Sequence, residues 1–164
     1  MLIGVISDTH DNLPRIAAAT ALFAGRGVEI MLHAGDYVAP FALKLLLKPG
    51  LPLIGVFGNN DGERRGLSNV CATVYESPHR FDIDGRTIVL AHVSEALDEE
   101  ATEGADLVVH GHTHEPFVHE GPPLTVNPGE AGGWLSGRCT VALVDLDAMQ
   151  AEVVDLEPQE TVVP

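Results

Sequence analysis

The chain has 164 residues, 45% of them apolar, which is enough for one domain with a sizeable core and argues against a disordered chain. Its 24 Asp and Glu against 9 Lys and Arg give a formal charge of −15, a surface that repels long nucleic acids and anionic membranes. No apolar run is long enough to span a bilayer, and no basic segment followed by an apolar signal core opens the chain. Cys71 and Cys139 form no CxxC pair, so neither a disulfide framework nor a zinc knuckle is expected, and a reducing, cytoplasmic location is.

The first element is a short buried strand, Leu2 to Ile6, that runs into Ser7-Asp8-Thr9-His10. Asp8 and His10 offer one hard and one borderline ligand at an i, i+2 spacing. Asn12 and Pro14 suit the start of a helix reaching about Gly25, with Ile16, Ala19, Thr20 and Phe23 at helical spacing. A second strand, Glu29 to Ala34, ends in Gly35-Asp36, and Pro40 starts a second helix through Leu47. His33, inside that strand, reads as a structural, hydrogen-bonded histidine. A third strand, Leu51 to Phe57, ends in Gly58-Asn59-Asn60-Asp61, and Glu63 to Asn69 predicts one helical turn.

Alternation around Asp84-Gly85 predicts a hairpin over Phe81 to Leu90, whose second strand delivers His92. Glu95 to Glu103 predicts a short acidic helix with a solvated face. Asp106 to Val109 then leads into His110-Gly111-His112-Thr113-His114. In an extended chain these three alternate imidazoles point one way, and Gly111 keeps the backbone low beside them. Phe117 to Glu120 and Leu124 to Val126 read as strands. Asn127-Pro128-Gly129-Glu130 is a turn, and 132–138 a flexible loop carrying the single Trp134. Cys139 to Asp145 and Ala151 to Leu156 read as two antiparallel strands, and Gln159 to Pro164 as a frayed tail.

Five apolar strands thus end in Asp8/His10, Asp36, Asn59, His92 and His112/His114. Strands alternating with helices imply a parallel sheet whose carboxyl ends share one edge, where ligands bind. Burying these carboxylates and imidazoles together would cost several kcal/mol without a partner, and one or two divalent cations remove that cost.

The motifs Asp8-x-His10, Gly35-Asp36, Gly58-Asn59-x-Asp61, His92 and Gly111-His112-Thr113-His114 resemble those of the calcineurin-like metallophosphoesterases, in the small YfcE-type phosphodiesterase branch. The resemblance covers nearly the whole chain. It implies one domain over residues 1–164, a two-sheet β-sandwich flanked by helices, and hydrolysis of a small phosphodiester at a dinuclear metal centre by a hydroxide shared between the ions. Asp8, His10 and His114 match the ligands of one ion, Asn59, His92 and His112 those of the other, and Asp36 the bridge; with Asn60 and Asp61, the residues Asp36, Asn59 and His92 form the catalytic set. The O/N donor set admits Mn²⁺, Fe²⁺, Ni²⁺ or Zn²⁺, and the resemblance puts Mn²⁺ first. Asp61 is expected to orient a neighbour.

Three positions depart from the pattern. Asn60 stands where many relatives carry a His that assists the leaving group, Val93 where Gly is usual, and Glu130 where Ser is frequent, adding charge near the substrate loop. His110 and His119 read as structural or surface histidines, and Arg138 as a surface charge within reach of a phosphate. Two other readings stand beside the phosphodiesterase. A Vps29-type scaffold would lack ligands and show a large apolar patch, whereas all seven positions are filled. A metal-dependent nuclease would be confined to dinucleotides or cyclic nucleotides by the acidic surface. The sequence leaves homo-oligomerisation open.

Overall fold

The structure, a computed structural model, describes residues 1–157, so the tail Gln159 to Pro164 lies outside the described residues. In chain order the elements are β1 Leu2–Ile6, α1 Leu13–Arg26, β2 Ile30–His33, α2 Pro40–Leu46, β3 Leu53–Val56, α3 Arg64–Val70 and β4 Val74–Tyr75. They continue with β5 His79–Ile83, β6 Arg86–Leu90, α4 Glu99–Thr102, β7 Leu107–Val109, β8 Phe117–His119, β9 Leu124–Asn127, β10 Thr140–Asp145 and β11 Gln150–Asp155.

The strands form two sheets, as the resemblance implies, and the strands that end in candidate ligands are divided between them. One has the order β11-β10-β1-β2-β3-β4, the other β5-β6-β7-β9-β8. β1 to β4 run parallel, as do β6, β7 and β9, while β10 and β11 are antiparallel. The period-2 pattern of β1 explains the layering. Ile3 and Val5 face a core shared with Leu32, Val56, Ile88, Leu107, Val109 and Val126, between the sheets. Ile6 faces a second core with Ile16, Ala19, Phe23, Leu43 and Leu46, beneath the helices. Gly4 belongs to that helical face, where a Cβ would stand 2.9 Å from the Phe23 ring. With both faces of the first sheet covered, its strands read as continuous apolar runs. On the far side, α4 lies beside β5, with Arg80 donating to the Ala101 carbonyl at 3.4 Å.

Helix starts follow the expected chemistry. The Asn12 side chain accepts from Arg15 N, Pro sits in the first turn of α1, and Gly27 closes it in the left-handed conformation. Two expectations change. Glu95 to Glu103 is not one helix, because Asp98 caps a new turn by accepting from Ala101 N, after a separate 3₁₀ turn over Ser94–Ala96. The segment after Asp61 is longer than one turn, and it is followed by β4, which two-residue pairing against β3 makes too short to read from pattern.

Candidate metal centre

The carboxyl ends of β1, β2 and β3 meet those of β6 and β7 across the open end of the sandwich, so the ligand-bearing loops come from both sheets. Backbone bonds tie the loops together. Asp8 N donates to Gly35 O at 3.0 Å, His10 N to Asp36 O at 3.1 Å, and Gly111 N to His92 O at 3.0 Å. Close approach requires glycine at two places: a Cβ on Gly111 would stand 2.0 Å from Ser7 Oγ and 2.8 Å from Asp8 Oδ2, and one on Gly58 would stand 2.1 Å from Asp36 Oδ1.

Five of the seven expected ligands form tight clusters, and Asn59 and His112 stand beside His92. Asp8, His10 and His114 each present a ligand atom within 4.8 Å of the others, and so do Asp8, Asp36 and His92. Asp36 stands between two histidines, its Oδ2 being 3.7 Å from His10 Nε2 and 3.5 Å from His92 Nε2. Asn59 Oδ1 is 2.8 Å from His92 Nε2, and the His92 and His112 rings are 5.0 Å apart. His92 Nδ1 lies 2.8 Å from the Ala34 carbonyl; donating to that acceptor leaves Nε2 turned to the cluster.

The backbone at the site is not extended. Asp8, His10, Asp36, His112 and His114 all have positive φ, between 42° and 68°. Strict alternation along 110–114 therefore fails. β7 stops at Val109, the left-handed turns aim His112 and His114 at the cluster, and His110 sits apart, its Nδ1 3.3 Å from Asn127 Nδ2. Left-handed residues other than glycine cost energy and cluster where function demands the geometry.

Several residues hold the candidate ligands. Ser7 Oγ donates to Asp8 Oδ2 at 2.6 Å, a role that sequence reasoning missed although Ser7 adjoins the Asp8 motif. Asp61 accepts from Gly58 N, Asp36 N and Val38 N at 2.7, 3.0 and 2.8 Å, and so organises the loop that carries Asp36. Asn127 donates to Gly111 O and Thr113 Oγ1, fastening the histidine loop. Asn60 sits beside Asp36, donating its backbone N–H to Oδ1 at 2.8 Å and its side-chain amide to Oδ2 at 2.7 Å.

Glu130 does more than add charge. It is fully buried and accepts from Trp134 N, Leu135 N, Ser136 N and Ser136 Oγ, while its Oε2 stands 3.4 Å from His114 Nδ1. The 132–138 loop is thereby anchored, contrary to the flexible loop read from its glycines. Arg138 pairs with Asp155 at 2.7 and 3.1 Å, which directs it away from the cluster. His33 lies in the wall beneath. Gly35 N donates to its Nδ1, its Nε2 faces Thr9 Oγ1, and Tyr37 stacks on it at 3.7 Å. Burial pushes its pKa down to about 3. His119 is exposed and stacks with Phe117.

The donor set fits divalent cations. Asp8 Oδ1 and His10 Nε2 are buried without a hydrogen bond of good geometry and lie 3.7 Å apart, with His114 Nε2 3.2 Å from the same Oδ1, a costly arrangement that a cation among them would relieve. Burial pushes the Asp8 carboxyl up, but the His10 and His114 rings and the Ser7 hydroxyl outweigh it and hold it well below the usual carboxylate range. Asp36 is likewise lowered, burial being outweighed by His92 and the two Asn60 donors. In return the Asp8 carboxylate raises His10 and His114, and at His92 Asp36 overcomes the opposing effect of burial.

Residues 1–149 match the family model described as the calcineurin-like phosphoesterase superfamily domain. The chain belongs to that superfamily. It is 34% identical to phosphodiesterase MJ0936 of Methanocaldococcus jannaschii over 166 residues, covering 96% of this chain and all of that one. Among solved structures, an archaeal phosphodiesterase superposes with a TM-score of 0.86 at 32% identity, covering 95% of this chain and 100% of the other. YfcE, a phosphoesterase from E. coli, shares the fold with a TM-score of 0.70 at 20% identity, over 96% and 100% of the two chains. Vps29 of Chaetomium thermophilum shares it equally well, with a TM-score of 0.70 at 20% identity over 97% and 90%. Family membership and the two-sheet fold therefore agree with the resemblance read from the motifs. Among the described residues no helix is long and apolar enough to cross a membrane.

Proposed function

We propose that this phosphoesterase-family chain is a phosphodiesterase for small diesters that works with two divalent cations, Mn²⁺ first among them. Asp8, His10 and His114 would hold one, Asn59, His92 and His112 the other, and Asp36 would serve both. The observation that carries the reading is that Asp8 Oδ1 and His10 Nε2 are buried without a hydrogen bond, inside a ring of oxygen and imidazole donors. When bound, the cations would supply Lewis acidity toward a phosphoryl group and toward water.

The chain's own residues do the rest. Asp36 lies centrally enough to share its carboxylate, and Asp61 fixes the backbone that presents it. The Ala34 carbonyl fixes the His92 ring, and Asn127 fixes the loop of His112 and His114. A cavity of about 430 Å³ opens over the cluster, lined by His10, Asp36, Asn59, Asn60, His112 and His114 among others. That space suits a small ester rather than a polymer, as does the charge of −15. Asn60 reaches into it with an amide, which can donate a hydrogen bond but cannot transfer a proton. The free, buried Cys71 and Cys139 suit a reducing compartment, and we place the enzyme in the cytoplasm.

The test is hydrolysis of bis(p-nitrophenyl) phosphate by chelated protein given back Mn²⁺, Fe²⁺, Ni²⁺ or Zn²⁺. Turnover should return with metal and be lost in His112→Ala. A stable protein that binds none of these ions, or binds them and turns over no ester, would defeat the proposal and favour a scaffold role of the Vps29 kind.

A further inference from the structure

Beside the ligand cluster lies an apolar shelf. Trp134 and Leu135 are 65% and 82% exposed, and with Val38, His10 and Asn60 they line a second cavity of about 350 Å³. His10, Asn60 and Leu135 line both cavities, so the shelf is continuous with the space over the cluster. The indole is fixed rather than loose. Its Nε1 donates to the His10 carbonyl at 3.1 Å, its backbone N donates to Glu130 Oε1 at 2.6 Å, and neighbouring Gly132 is tied to Asp8 O and to the Asn12 amide. An aromatic plate held rigidly at the mouth of a site, with most of its surface open, is prepared to receive another planar group at little entropic cost. Neither cavity is lined by Lys or Arg, so apart from the proposed cations no guanidinium or ammonium there would neutralise a second phosphate.

We propose that Trp134, with Leu135 and Val38, forms a stacking subsite for the planar aromatic group of a phosphodiester that carries a single phosphate: an aryl ester or the base of a nucleoside ester. The proposal rests on the phosphodiesterase reading, since the phosphate must lie over the Asp36–His112 cluster for its substituent to reach the indole. It narrows the substrate class to diesters with at least one uncharged, planar substituent. Diesters with only alkyl groups, and nucleotides with a terminal diphosphate, fit poorly. The competing view is that the indole merely covers the His10 loop.

Trp134 is the one tryptophan of the chain, so its emission reports the subsite directly. Zn²⁺-loaded protein should show saturable quenching with adenosine 5′-monophosphate and with phenyl phosphate, and little with methyl phosphate or inorganic phosphate. In parallel, three diesters with p-nitrophenolate as common leaving group would carry methyl, phenyl or 5′-thymidyl on the retained side. Stacking on an aromatic side chain is worth on the order of tenfold or more in affinity. The wild-type protein should favour the phenyl and thymidyl esters over the methyl ester by about that factor in kcat/KM. Trp134→Ala should collapse the ratio toward one, and Trp134→Phe should keep most of it. A preference for thymidyl alone would assign the shelf to nucleobases, and one for both esters to planar groups in general. Equal rates for all three esters, a preference that survives Trp134→Ala, or emission that responds alike to all four phosphates would overturn the subsite. Failure of metal-loaded protein to hydrolyse any ester would instead defeat the phosphodiesterase reading, while the emission titration would still decide the shelf.

Discussion

Replacing Glu130 by Ala should weaken the proposed metal centre and the 132–138 loop together. The carboxylate is fully buried and accepts four hydrogen bonds between 2.6 and 3.1 Å from Trp134, Leu135 and Ser136. Leu135 and Ser136 are exposed, so water can replace part of what is lost, whereas the site of the carboxylate itself is dry. An unsatisfied buried donor costs about 1–3 kcal/mol, which puts the substitution near 3 kcal/mol in all. For a chain of 164 residues that is a fall in Tm of about 6–12 °C. Glu130 Oε2 also stands 3.4 Å from His114 Nδ1, the arrangement of a carboxylate that orients a metal-ligating imidazole. Loss of such a partner lowers metal affinity by about 10–100-fold. Mn²⁺ titration by calorimetry should show that drop in Glu130→Ala, with a smaller one in Glu130→Gln, which keeps an acceptor. An unchanged metal affinity in a variant that has lost thermal stability would show that Glu130 holds the loop and leaves His114 alone.

Asp36→Ala should lose measurable turnover and at least one bound ion by elemental analysis, while circular dichroism stays native. Active Asp36→Ala with full metal content would refute the shared-carboxylate assignment. Acid should destabilise the protein partly through His33. Its folded pKa lies near 3, below the ordinary value of 6.5, so the unfolded chain takes up the proton first. Its contribution is complete above pH 6.5 and fades as pH falls from there toward 3, by up to about 1.4 kcal/mol per unit; urea titrations from pH 7 to 4 should be shallower in His33→Gln, and equal slopes would remove His33 from the account. Asn60 cannot protonate a departing alkoxide, so rates over a diester series should fall steeply with leaving-group pKa, and Asn60→His should flatten the slope, general acid help being worth about 10²–10⁴-fold. A shallow wild-type slope, unaltered by the substitution, would show that Asn60 does not limit the reaction.

The seven candidate ligands were legible because each follows an apolar run, and a strand end is where a polar side chain can be both buried and accessible. Which sheet each strand joins was not legible from pattern alone. β6 and β7 are as apolar as β1 and β2, and the pairing that separates them is non-local. The left-handed backbone at His112 and His114 was hidden for a similar reason. The turn is tied at His112 N to Asp8 Oδ2, at 3.1 Å across more than a hundred residues of sequence, a contact no local pattern reveals. Glu130 looked like an added charge because its three backbone donors lie four to six residues onward, in a loop whose glycines suggested freedom.

The left-handed ligands also bear on the choice between an enzyme and a scaffold. Five residues other than glycine with positive φ, at about 1 kcal/mol or more each, represent a cost comparable with the whole net stability of a domain this size. Asp and His tolerate this region better than most side chains, which softens the cost without removing it. The surroundings over-determine the strain. Gly58 and Gly111 leave no room for a Cβ, Ser7 grips Asp8, and Asp61 grips the Asp36 loop. A protein that used only its outer surface would need the His10 turn for little beyond seating the exposed Trp134, whose Nε1 donates to the His10 carbonyl. A cation bound between the side chains would offset part of the strain, and Asp8 Oδ1 and His10 Nε2, buried without a hydrogen bond, mark where that binding would occur.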